Sequence, residues 1–144
     1  MIENVDHIAI CVSDLERSIA FYRDVLGFEE ILRWGARIPG IKQISLMKKS
    51  NGVIELMETE GAKPLEDDPK MAGFKHLCME VSDFDEEYER MTGMGVSVLE
   101  EPHVLNSDHL VTVFSTMDLD MEKGLKRAVL ADPDGVPIEI LHWL

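Results

Sequence analysis

The chain repeats itself, and a repeat of this length leaves few folds open. His7-Ile8-Ala9-Ile10-Cys11-Val12-Ser13-Asp14 returns as His76-Leu77-Cys78-Met79-Glu80-Val81-Ser82-Asp83, with Val-Ser-Asp five to seven residues after the histidine each time. A segment of helical pattern follows each, Leu15 to Leu26 and Phe84 to Met94, and closes on Gly27 or Gly95. Further on, Val53-Ile54-Glu55-Leu56-Met57 is echoed by Pro137-Ile138-Glu139-Ile140-Leu141. Four echoes in one order mark two copies of one module. His76 follows His7 by 69 residues and Glu139 follows Glu55 by 84, so the second copy carries about fifteen extra residues. These are expected between Glu101 and Lys126, a stretch with no counterpart in the first copy.

Local signals give each copy a β-α-β-β-β order. Val5 to Val12 alternates and is β-branched at Val5, Ile8, Ile10 and Val12, which predicts a strand. Ser13 with Glu16 three residues on reads as a capping box, and Leu15, Ile19, Tyr22 and Leu26 then recur at helical spacing. Ile41 to Met47 and Val53 to Met57 predict strands around a turn at Ser50-Asn51-Gly52. In the second copy Phe84, Tyr88 and Met91 mark a helix and Val96 to Leu99 a strand; Asp132-Pro133-Asp134-Gly135 turns into a final strand, Val136 to Leu141. The predicted class is α+β: two tandem β-α-β-β-β modules whose curved mixed sheet surrounds a metal site. The modules are expected over 1–60 and 74–144, with a linker at 61–73 and an insertion near 103–124.

Composition narrows the function. A net charge of −14 repels phosphate backbones, and no basic stripe offsets it, so nucleic acid is not an expected partner. No apolar run is long enough to span a membrane. Met1 to Asp6 has no secretory pattern, and two cysteines in apolar segments build no disulfide framework, which together predict a reducing cytoplasm.

The chemistry lies in four residues. A carboxylate in mid-strand among apolar neighbours costs about several kcal/mol to desolvate unless a charge meets it. Glu55 and Glu139 both stand so, and His7 and His76 open equivalent strands. If the repeats pack about a local two-fold axis, all four converge, and one divalent cation there neutralises both carboxylates and accepts both imidazoles. His7, Glu55, His76 and Glu139 are therefore the candidate metal ligands. Such a donor set does not separate Ni, Zn, Co, Mn and Fe(II). His103, His109 and His142 read as loop or surface residues, and His142 falls on the strand face opposite Glu139.

The chain resembles the vicinal oxygen chelate superfamily, and within it glyoxalase I (lactoylglutathione lyase). The resemblance is carried by Asp6-His7-Ile8-Ala9, by Ser18 to Phe28, by Ile54-Glu55-Leu56 and Lys75-His76-Leu77, and by Asp132-Pro133-Asp134-Gly135 with Ile138-Glu139-Ile140. It implies the same four metal ligands, and proton transfer next to a carbonyl of a small-molecule substrate through a metal-stabilised enediolate. It further implies that Glu139 is the base and Glu55 the second acid/base partner. Where glyoxalase I places an arginine and an asparagine for glutathione, this chain has Cys11 and Thr59, which offer a carboxylate no charged clamp. Arg33, Arg37, Lys126 and Arg127 are the cations available to an anionic substrate. Other outcomes within the superfamily are an epimerase, a dioxygenase, or a ligand-binding or resistance protein without turnover. A homodimer is expected, because the sheet edges left by each module favour a two-fold partner.

Overall fold

The computed structural model describes Met1 and residues 3–65, 72–105 and 124–144. It divides into two compact units, Met1–Asp67 with Pro133–Gly135, and Asp68–Asp132 with Val136–Leu144.

In the first unit β1 (Ile8–Val12) leads into α1 (Leu15–Ala20), a π-helical turn (Phe21–Val25), then β2 (Glu29–Gly35), β3 (Ile41–Lys49) and β4 (Gly52–Thr59). The strands lie in the order β1-β4-β3-β2, with β1 parallel to β4 and the other pairs antiparallel. The helix starts at Asp14, whose carboxylate accepts from Arg17 N–H. Ser13 therefore does not cap it, contrary to the capping-box expectation. The Ser13 hydroxyl and N–H instead reach Asp134, at 2.5 and 3.0 Å. Leu15, Ile19, Tyr22 and Leu26 are buried as the spacing predicts, as are Val12, Met47, Ile54 and Leu56 of the strands. The run is not α-helical throughout, since its last turn widens into the π-helical segment. Gly27 then takes a φ of +70° at the helix end, where Lys49 Nζ donates to the Leu26 carbonyl at 2.5 Å.

The second unit repeats this plan. β5 (Leu77–Glu80), α2 (Phe84–Gly93), β6 (Val98–Leu105), β7 (Leu125–Ala131) and β8 (Pro137–Trp143) form a sheet in the order β5-β8-β7-β6. Asp83 caps α2 by accepting from Glu86 N–H, as Asp14 caps α1. Phe84 and Met91 of the helix are buried, as are Ala128, Leu130, Ile138 and Ile140 on alternate positions of β7 and β8. The α+β fold with two four-stranded mixed sheets is as the sequence predicts. Its strands depart in detail. β6 starts two residues late and runs to Leu105, taking in His103, and the last strand runs from Pro137 to Trp143. β2 and β7 carry no clean alternation and were not singled out by pattern. Most of the expected insertion, 106–123, lies outside the described residues, as does 66–71 of the linker. Among the described residues no helix is long and apolar enough to cross a membrane.

Candidate metal centre

His7 and His76 each stand one residue ahead of the opening strand of a module, and each module's last strand lies parallel beside that strand. Ala9 pairs with Glu55 and Cys78 with Glu139, so each glutamate sits beside the residue two after its histidine. The alternation of strand side chains then turns the glutamate back towards the imidazole. The repeat seen in sequence is thus a repeat in space within each unit.

In the first unit His7 Nε2 lies 3.6 Å from Glu55 Oε2, and Glu55 is largely buried, its side chain 15% exposed. The other ring nitrogen, Nδ1, is 2.8 Å from Asp6 Oδ2. With Nδ1 donating its proton to Asp6, Nε2 is left with a lone pair directed at the Glu55 side. The Asp6 hydrogen bond, more than the field of Glu55, raises the His7 pKa above the ordinary 6.5.

In the second unit Glu139 is 8% exposed and its two oxygens have different partners. Oε2 lies 2.9 Å from His76 Nε2, while Oε1 accepts from Arg127 Nε. Arg127 Nη1 donates to Glu100 Oε1 at 3.0 Å and lies 3.3 Å from His103 Nε2. Burial acts against the charge on this guanidinium, but Glu139 and Glu100 outweigh it and its pKa is raised. Cys78, beside Glu139, is exposed as a residue, yet burial acting on its sulfur, then the Glu139 carboxylate, pushes its thiol up to about 11.

The donors suit a divalent cation. Two atoms each ~2.1 Å from one ion stand ~3.0–3.4 Å apart at square to tetrahedral angles. The two Nε2–Oε2 separations, 2.9 and 3.6 Å, bracket that range. Imidazole nitrogen with carboxylate oxygen is a common divalent-metal set. Among the described residues no group of three or more His, Cys, Asp or Glu forms a metal-holding cluster, so each unit supplies a two-donor pair.

Strand alternation sorts the four candidate cations. Arg33 pairs with Glu30 and Glu16. Lys126 pairs with Asp85 at 2.5 Å and lies over the Phe84 ring, on the helix side of its sheet. Arg127, the next residue, emerges on the Glu139 side, and Arg37 is exposed in a loop. His103, read from sequence as a loop or surface residue, stands on β6 beside Arg127 and Glu100. His142 lies on β8 with Nδ1 2.8 Å from the Val81 carbonyl, facing away from Glu139. His109 falls outside the described residues. The Thr59 hydroxyl donates to the Met57 carbonyl of its own strand, at 3.2 Å. Sequence reading missed the part of Asp6, although its place next to His7 was a signal. It named Arg127 without its partner, because a contact between β7 and β8 is not local.

The fold recurs elsewhere. The model of the Glyoxalase/Bleomycin resistance protein/Dioxygenase superfamily matches residues 4–140. The uncharacterized protein YwkD of Bacillus subtilis (strain 168) is 27% identical over 140 residues, 97% of either chain. Three solved structures share the fold at lower identity. A glyoxalase family protein from Enterococcus faecalis is 22% identical, with a TM-score of 0.71 over 96% of this chain and 97% of that one. The trypanothione-dependent glyoxalase I of Leishmania major is 23% identical, with a TM-score of 0.66 over 97% and 86%. The fosfomycin resistance protein FosX of Listeria monocytogenes, complexed with Mn(II) and sulfate, is 20% identical, with a TM-score of 0.64 over 99% and 93%. With a match from the fourth residue into the last strand, and a fold that agrees, this chain belongs to the Glyoxalase/Bleomycin resistance protein/Dioxygenase superfamily.

Proposed function

We propose that the chain is a metal-dependent lyase or isomerase of the glyoxalase kind, moving a proton next to a carbonyl of a small-molecule substrate. The observation that carries this reading is the pair of repeat-equivalent contacts, His7 Nε2 with Glu55 Oε2 and His76 Nε2 with Glu139 Oε2. Each pair offers one imidazole and one carboxylate to a divalent cation. A cation so bound offsets negative charge developing on the substrate oxygens. Asp6 holds the His7 ring with Nε2 turned inward. Glu55 and Glu139 are the acid/base pair, each able to hold a proton on Oε2.

The active assembly is a homodimer. Its support is the edge strand β2, exposed along its length and carrying Ile31, Leu32 and Trp34 in the open. Cys11 and Cys78 are free thiols, in keeping with a cytoplasmic setting. One observation favours a second reading, another reaction of the superfamily such as that of an epimerase. Cys11 and Thr59 give glutathione no charged hold, so the substrate need not be a glutathione adduct.

The test pairs elemental analysis of the purified protein with a substrate panel read in deuterated water. About one metal per chain is expected, with solvent deuterium entering the product next to its carbonyl. A folded protein that takes up no divalent metal, or a confirmed substrate whose carbon-bound proton never exchanges, overturns the reading. Light scattering at micromolar concentration decides the assembly, with twice 16.3 kDa expected.

A further inference from the structure

A line of polar side chains crosses the second sheet from edge to edge. Glu100 and His103 stand on β6, Arg127 on β7, Glu139 on β8, and His76 leads into β5, in the spatial order of the strands. Neighbours along the line touch: Glu100 with Arg127 at 3.0 Å, Arg127 with Glu139 Oε1, and Glu139 Oε2 with His76 at 2.9 Å. Arg127 is itself only 16% exposed and is steadied from the β6 side. Among the described residues no such cation meets the first unit's carboxylate, and Glu55 faces His7.

We propose that Arg127 is a positioning residue, one that ties down Oε1 of Glu139 so that Oε2 alone is presented beside His76. The proposal rests on the metal-centre reading above and extends it by dividing labour between the two glutamates. A carboxylate free to rotate about its last torsion offers either oxygen or both. The fork of Arg127 engages one oxygen from the side away from His76 and removes that freedom. Outer partners of this kind typically change metal affinity about 10–100-fold when lost. Glu139 thus becomes the held ligand, while Glu55 keeps the freedom to turn. Neighbouring Lys126 offers an internal control, because it lies one residue away and faces α2.

The test is titration of metal-stripped protein with Co(II), followed by visible absorption, for wild type, Arg127→Gln, Arg127→Lys and Lys126→Gln. Arg127→Gln is expected to bind Co(II) at least tenfold more weakly and with an altered ligand-field spectrum. Arg127→Lys should recover much of the affinity through its single ammonium, and Lys126→Gln should match wild type in both readouts. If Arg127→Gln does not fold, Arg127→Met keeps the packing of the stem and is read in the same way. Wild-type affinity and spectrum in the Gln or Met variant overturn the role of Arg127 alone. A folded wild type that binds no Co(II) overturns the metal centre, and the inference falls with it.

Discussion

Asp6 accepts a hydrogen bond from Nδ1 of His7 at 2.8 Å, and this contact between sequence neighbours sets which nitrogen of the ring faces Glu55. It also makes the imidazole more basic. In the proposed centre metal and proton compete for Nε2, so metal uptake should weaken as pH falls through the raised His7 pKa.

Asp6→Asn is therefore expected to bring the His7 titration in the metal-free protein back towards the ordinary 6.5. NMR of the ring protons measures it, and an unchanged midpoint would remove Asp6 from the account. The sign for folding is the opposite of that for metal. A raised imidazole pKa favours the folded state below 6.5, and the gain is lost as pH rises through the higher value.

Replacing either carboxylate of the proposed acid/base pair should separate binding from turnover. Glu139→Gln keeps an oxygen that can bind a cation but cannot take a proton at neutral pH. On a confirmed substrate, kcat is expected to fall about 10²–10⁴-fold, with metal content reduced far less. Glu55→Gln should behave likewise. Wild-type turnover in Glu139→Gln would leave Glu55 as the acid/base residue.

Asp134 is 6% exposed and binds Ser13 through both carboxylate oxygens, with Arg17 Nη2 at 2.8 Å from one of them. Asp134→Ala strips partners from the Ser13 N–H and from the Arg17 guanidinium at once. A loss of about 3 kcal/mol is expected, read by urea unfolding, with Ser13→Ala costing about 1 kcal/mol.

The Cys78 thiol, pushed up to about 11, stays protonated at physiological pH and is a poor nucleophile there. In metal-free protein at pH 8, its alkylation by iodoacetamide should be at least tenfold slower than in the same protein unfolded in urea. Equal rates would show that burial and Glu139 do not govern the sulfur.

What was legible in the sequence was what repeats or is local. His7, Glu55, His76 and Glu139 were placed by the echo between modules, and the buried helix face by its spacing. The structure adds the contact inside each pair. The cap of α1 was placed one residue early, at Ser13, because Ser13 and Asp14 are both good caps. The contact that decides between them comes from Asp134, 121 residues away. β2 and β7 escaped for a related reason. Glu29, Glu30 and Arg33 in one, and Lys126 and Arg127 in the other, interrupt the apolar alternation, and their pairing with neighbouring strands is what makes them strands. Arg127 looked like any surface cation until β8 supplied its partner.

The parallel pairing of first and last strands also governs the order of assembly. His7 meets Glu55 across 48 residues and His76 meets Glu139 across 63. Contacts of such separation form late, after the intervening loop has been closed by more local structure. A nascent or half-folded module therefore holds a histidine without its glutamate. In the proposed centre a metal ion meets a competent pair of donors only once a module is complete, so metal capture would report that folding is finished.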